Sequence, residues 1–329
     1  MRDASDFLRE AGFGDARIEP LPSDASFRHY ARLRGGPRPA MLMDAPPPED
    51  VRPFVAIGRH IAGLSLSAPE IMAADEARGF LIIEDFGDAT HASLLDAGAD
   101  PLPLYLEAAE ALAALHAAPP PAGLPPWGPT RMSETAAATF LDWWWPAAMG
   151  AEPDAETRAH CDAAIRGMLA PFADAGGFVH RDFFPANLMR LADRSGPRRT
   201  GLLDFQDAAV GHPAYDLVSL VEDARRDVAP TVRRAAIERY LYARGDVDRD
   251  AFAAAMAVCA AQRHLRVAAL WVRLALRDGK PRYLVHGPRC WRLLAAALEH
   301  PATRPLRDFL DARVPPRLRC NPVAVTEPA

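Results

Sequence analysis

His180-Arg-Asp-Phe-Phe-Pro-Ala-Asn187, followed by Leu202-Leu-Asp-Phe-Gln-Asp207, carries the chemistry of this chain. Asp182 and Asn187 fall in a loop between short apolar segments, and Asp204 ends the next apolar run. A turn at Ala192-Asp-Arg-Ser-Gly-Pro197 lets 187–191 pair with 200–204. That pairing brings Asn187 and Asp204 together. A carboxylate and an amide oxygen are hard ligands, suited to Mg2+ when phosphate oxygens complete its shell. Asp182 is then left to orient and deprotonate a hydroxyl that attacks a phosphoryl group. The spacing H-x-D-x-x-x-x-N, then an apolar strand ending in Asp, is that of phosphoryl-transfer catalytic loops. His180 is expected to hold the loop through hydrogen bonds rather than to react.

The flanking sequence predicts two regions. Residues 26–33, 40–43 and 80–83 read as strands, with a helix over 48–62 that has Glu49 and Asp50 in its first turn. Glu84-Asp-Phe-Gly-Asp88 is a polar turn. Beyond it the period becomes helical at Leu102, Leu106, Ala109, Leu112 and Leu115. Helices are also expected over 132–145, 153–172 and 247–278, with an extended surface tail after Arg313. The expected class is α+β, with a β-rich lobe over 1–86, a hinge near 84–88, and a mostly helical lobe over 87–329. A β-hairpin lies at the catalytic site.

Composition narrows the function. The 329 residues are 25% charged and 50% hydrophobic, with net charge -5. Disorder as the main state and broad electrostatic binding of nucleic acid are excluded. The N-terminus has no apolar leader and no run approaches a membrane span, so a cytoplasmic protein with no membrane partner is expected. Four scattered cysteines read as free thiols. Lys280 is the single lysine among 38 basic side chains. Gly279-Lys280 is followed by Pro281, so there is no Walker A loop. A protein kinase is disfavoured by the missing GxGxxG and APE segments.

These segments resemble the aminoglycoside phosphotransferase-like, or choline-kinase-like, family of small-molecule kinases. Glu84-Asp-Phe-Gly87 resembles its hinge, and Gly211-His-Pro-Ala-Tyr-Asp216 the segment after its metal-binding Asp. The resemblance implies a bilobal protein-kinase-like fold, ATP and Mg2+ as cofactors, Asp182 as catalytic base, and Asn187 and Asp204 as metal ligands. Further likenesses are to the family's amino-sugar kinases. They lie in Ser23-Asp-Ala-Ser-Phe-Arg28, Met43-Asp-Ala-Pro-Pro47, Phe140-Leu-Asp-Trp-Trp-Trp145, Tyr215-Asp-Leu and Gln262-Arg-His-Leu265. They imply phosphorylation of the C1 hydroxyl of a small sugar; a monomer is expected. Ser26, Arg28, Arg32, Met43, Glu84 and Phe86 are the expected nucleotide contacts. Trp143, Gln206, Asp207, Asp223 and Arg263 are the expected sugar contacts, and Arg225-Arg226 reads as a solvated helix end. The strand Pro39-Ala-Met-Leu-Met-Asp44 lacks the family's phosphate-pairing lysine, a role expected to pass to Arg28 or Arg32. A same-fold kinase for choline, an amino acid or an aminoglycoside, and a nucleotide-binding scaffold without turnover, remain alternatives.

Overall fold

The apolar runs near the N-terminus satisfy their backbone groups by pairing with one another. We describe a computed structural model covering residues 1–22, 27–245 and 247–323. The chain first forms α1 (Ser5–Glu10), β1 (Arg17–Pro20), β2 (His29–Arg34), β3 (Ala40–Asp44) and α2 (Arg52–Gly63). Next come β4 (Ile71–Asp75), β5 (Phe80–Glu84), α3 (His91–Asp96), α4 (Pro101–Ala117), β6 (Pro126–Trp127) and α5 (Pro129–Thr139). A π-helical turn, Phe140–Trp144, leads into α6 (Trp145–Met149), α7 (Ala155–Leu169), β7 (Gly177–Val179), β8 (Leu188–Arg190), β9 (Thr200–Leu202) and β10 (Ala209–Gly211). The chain then runs through α8 (Ala214–Val221), α9 (Pro230–Arg244), α10 (Arg249–Asp278), α11 (Gly287–Ala297) and α12 (Arg304–Arg313). The class is α+β.

Compactness divides the chain into Met1–Leu115 with Pro185–Ala208, and His116–Phe184 with Ala209–Ala329. The first unit thus runs past residue 86 through α3 and most of α4, and it also takes in the β8–β9 hairpin. Gly201 bridges to Ser67, and Met189 to Thr90. Glu107 on α4 takes Arg190 and Arg199, each at 3.3 Å.

The first unit is built on an antiparallel sheet in the order β1-β2-β3-β5-β4. Directly paired residues share a face. The pairs Leu33↔Ala40 and Leu42↔Ile82 put these side chains on one face, where they pack on Phe7, Leu8 and Phe13. The pairs Arg32↔Met41 and Met41↔Ile83 define the other face. The helix expected from residue 48 begins at Arg52. The Asp50 carboxylate accepts the Arg52 N–H at 3.0 Å and closes a turn ahead of the helix. Glu49 therefore lies outside the first turn.

In the second unit, β10 pairs parallel to β6 and antiparallel to β7. The helix expected over 247–278 is α10, 30 residues long, capped by the Asp248 carboxylate and ended at Gly279 with φ 63°. Of the tail, residues 314–323 are described, and they are not simply an extended surface segment; residues 324–329 lie outside the described residues. Val314 is fully buried, Pro316–Leu318 forms a 3-10 turn, and Trp144 Nε1 donates to the Cys320 carbonyl at 2.9 Å. All four cysteines are free. Among the described residues no helix is long and apolar enough to cross a membrane.

Two histidines make the fold acid-sensitive. Burial pushes His91, at the start of α3, down to about 4, with Arg190 adding to it. Burial likewise pushes His212, packed against Phe172 and Phe252, down to about 4. The unfolded chain titrates near 6.5 and so binds more protons between pH 4 and 6.5. Stability is therefore full above pH 6.5 and falls as pH drops toward 4. Each histidine is expected to cost about 1.4 kcal/mol on going from pH 7 to 5.5. Urea midpoints measured at the two pH values check this, and His91→Phe should lose correspondingly less.

Candidate active site

Asp182 sits in a loop pinned by a buried carboxylate. Strand β7 delivers the chain to His180, whose N–H donates to Asp216 Oδ2 at 2.6 Å, and the Arg181 N–H donates to Asp216 Oδ1 at 2.8 Å. Arg181 is held at φ 76°, a region that only over-determined non-glycine residues occupy. Its guanidinium lies 4.3 Å from the Trp127 ring centroid. His116 Nε2 is 3.2 Å from Asp216, and its Nδ1 is 2.8 Å from the Tyr240 hydroxyl. Burial lowers the His116 pKa although Asp216 opposes the shift. The neutral ring then donates from Nε2 to the carboxylate and accepts from Tyr240 at Nδ1. His180 holds the loop differently from the expectation. Its ring is fully buried, neither ring nitrogen has a hydrogen-bond partner among the described residues, and it packs edge-on against Phe183 at 5.6 Å. Packing and the backbone N–H, not ring hydrogen bonds, fix the turn.

Arg266 on α10 donates to the Tyr215 hydroxyl at 3.1 Å. Burial opposes its charge, but Tyr215 and Asp182 outweigh burial and hold its pKa up. Asp182 thus has a guanidinium within electrostatic reach in its own unit.

In the first unit the predicted hairpin forms, with Leu188↔Leu202, Met189↔Gly201 and Arg190↔Thr200 in register. It brings Asn187 and Asp204 together, and the Asn187 amide donates to Asp204 Oδ2 at 3.4 Å. Asp204 sits at φ 58°. Gln206 Nε2 donates to Asp204 Oδ1 at 2.7 Å, so Gln206 supports Asp204. Asn187 and Asp204 line a cavity of about 290 Å³ whose other walls include Met41, Phe54, Ile83, Glu84, Phe86 and Gly87. Apolar walls with a few polar groups at one side suit a flat heteroaromatic ring with a polar tail. Gly201 admits Phe86, since a Cβ there would lie 2.8 Å from its ring.

Of the expected nucleotide contacts, Glu84 and Phe86 line this cavity, while Ser26 lies outside the described residues. Met43 is fully buried, and Met41 is the methionine that faces the cavity. The Arg32 guanidinium bonds Asp85 at 2.6 Å and Asp88 at 2.8 Å, and Asp88 chiefly raises its pKa. These two ion pairs tie Arg32 to the 84–88 turn. Arg28 instead pairs with Glu49 at 2.8 Å, both largely buried. It also hydrogen-bonds Tyr30, whose phenol burial pushes up to about 12, with Asp204 adding to the shift. Arg28 therefore belongs to the same polar group as Asp204.

The expected sugar contacts divide by unit. Exposed Asp207 lies with Gln206 in the first, and Trp143, Asp223 and Arg263 lie in the second. Within the triple tryptophan, Trp144 and Trp145 are core and Trp143 is half-buried. Trp144 stacks on Phe140 at 4.9 Å and tilts on Trp291 at 5.1 Å. Asp223 and Arg263 are both buried. Sequence reasoning assigned no role to Asp216 or Arg266. The segment ending at Asp216 was visible, but its partners lie 35 and 36 residues away.

Among the described residues no group of three or more His, Cys, Asp or Glu side chains could hold a metal. One carboxylate with one amide is nonetheless the donor set of a Mg2+ that takes the rest of its shell from phosphates and water. Asn187 and Asp204 fit that ion.

Comparison with known proteins places this geometry. The model of the phosphotransferase enzyme family, APH, matches residues 17–254. The N-acetylmuramate/N-acetylglucosamine kinase of Caulobacter vibrioides is 38% identical over 95% of this chain and 96% of its own length. Its namesake from Pseudomonas aeruginosa is 37% identical over 87% of this chain and 86% of its own. The fold is similar to choline kinase from Cryptosporidium parvum Iowa II, with a TM-score of 0.60 at 12% identity over 90% of this chain and 93% of that one. The chain belongs to the phosphotransferase enzyme family.

Proposed function

We propose that this enzyme transfers the terminal phosphoryl group of ATP to the C1 hydroxyl of N-acetylmuramate or N-acetylglucosamine. The observation that carries the substrate is the 38% identity, over 95% of the chain, to a kinase named for these two sugars. Asp182, on its pinned loop, takes the proton from the attacking hydroxyl. The anomeric hydroxyl is more acidic than an ordinary alcohol, so one aspartate suffices as base. The sugar oxygen bonds to the γ-phosphorus as the bond to ADP breaks. Asn187 and Asp204 would hold Mg2+, which neutralises phosphate charge when bound. Gln206 keeps Asp204 in place. Met41, Ile83 and Phe86 receive the adenine, with the 84–88 turn as hinge. Arg28, oriented by Glu49, supplies the cation that the lysine-free strand β3 does not. Trp143, Asp207, Asp223 and Arg263 contact the sugar. The reading is of a cytoplasmic monomer.

ADP release in the presence of Mg2+ tests the assignment across N-acetylmuramate, N-acetylglucosamine, choline and kanamycin. Turnover is expected on the amino sugars alone. Turnover on choline or kanamycin with none on either sugar overturns it.

A further inference from the structure

Two guanidiniums of the second unit have no carboxylate within ion-pair distance among the described residues, yet both are held in fixed places. Arg263 on α10 is 3% exposed, and its Nε makes no hydrogen bond. Its guanidinium carbon lies 5.9 Å from the Tyr215 ring centroid. Arg225 lies over two aromatic faces, 4.7 Å from the Phe184 centroid and 5.4 Å from that of Trp271. Its backbone N–H is tied to Asp223 at 2.9 Å. Stacking of this kind orients a planar guanidinium while leaving its N–H edge open. Arg225 is exposed, as the sequence implies, and the two rings beneath it give its guanidinium a defined orientation.

Both groups border the chemistry. Phe184 follows Asp182, and its N–H donates to the Asp182 carbonyl at 3.1 Å. Tyr215 accepts from Arg266, which acts electrostatically on Asp182. Arg225 stacks on Trp271, Trp271 Nε1 donates to the Cys290 sulfur at 3.3 Å, and Arg263 and Asp223 lie within electrostatic reach of that same thiol. Arg263 is desolvated with no carboxylate at ion-pair distance among the described residues, buried Asp223 included, which is unfavourable; an anion from a ligand would relieve it, and exposed Arg225 offers that anion a second guanidinium from the solvent side. A carboxylate matches the planar fork.

We propose that Arg225 and Arg263 form a carboxylate-recognition subsite beside the Asp182 loop, which makes the acidic amino sugar, N-acetylmuramate, preferred over neutral N-acetylglucosamine. This rests on the amino-sugar reading above. The readout is the ratio of kcat/KM values for the two sugars, with the methyl ester of N-acetylmuramate as a third substrate. A ratio does not depend on the fraction of enzyme that is folded, so a poorly stable Arg263 variant stays informative. The wild type should favour the acid over both neutral compounds by about tenfold or more. Arg225→Gln and Arg263→Gln should each cut that ratio by about tenfold, through KM for the acid. Arg225→Lys should retain part of it. A wild-type ratio near one, or a ratio unchanged within twofold in Arg225→Gln, overturns the proposal. An equal loss on all three substrates through kcat also overturns it, by assigning the guanidiniums to the phosphoryl group. If the wild type phosphorylates neither sugar, the amino-sugar reading itself fails and the subsite falls with it. If it phosphorylates both sugars without preference, only the subsite fails.

Discussion

Asp182→Asn should lower kcat by about 10²–10⁴-fold while nucleotide affinity stays near that of the wild type. The amide has the shape of the carboxylate but no basicity. The loop that carries it is fixed by other groups. Asp216 holds the His180 and Arg181 N–H groups, His116 holds Asp216, and Tyr240 holds His116. The substitution therefore removes a proton acceptor from a framework that persists. Steady-state kinetics together with nucleotide titration separate the two effects. Turnover within threefold of wild type would remove Asp182 from the mechanism.

Asp204→Ala is the second large effect. It should abolish the tightening of ATP binding that Mg2+ produces and lower kcat/KM by at least about 100-fold, more than the loss of an outer-shell partner. Asn187→Ala should weaken the same tightening without abolishing it, because a neutral amide contributes less than a carboxylate. Gln206→Ala, which leaves Asp204 without its 2.7 Å donor, should fall within the roughly 10–100-fold range of outer-shell changes. Calorimetric titration of ATP with and without Mg2+ reads all three. Wild-type Mg·ATP affinity in Asp204→Ala would mean that the metal assignment is wrong.

Local spacing made the chemistry legible. The apolar runs around the turn at 192–197 fixed both the hairpin and the meeting of Asn187 with Asp204, because that pairing is decided within a few residues of sequence. Three short elements were not legible. Strand β1 has four residues, mostly exposed, with no alternation to read. Helix α1 spans six residues and β4 is only partly buried. The π-turn at Phe140–Trp144 leaves no mark in composition, yet it decides which tryptophan escapes the core. The fate of charged side chains was harder still. Arg28 and Arg32 looked equivalent on one strand. Arg32 meets Asp85 and Asp88, more than fifty residues away, and Arg28 meets Glu49, which is released from α2 by the Asp50 turn. Such choices depend on sheet register, which a single sequence does not state. His180 is a similar case. Its motif implies a hydrogen-bonding ring, and the fold instead buries that ring against Phe183.

The most direct test of the account is the position of the new phosphate. Incubation with Mg·ATP and either amino sugar should consume reducing ends in step with ADP formed, since a sugar phosphorylated at C1 cannot reopen to its aldehyde. The 1-O-methyl glycoside should be inert. A phosphorylated product that keeps its reducing end, or turnover of the 1-O-methyl glycoside, would contradict it.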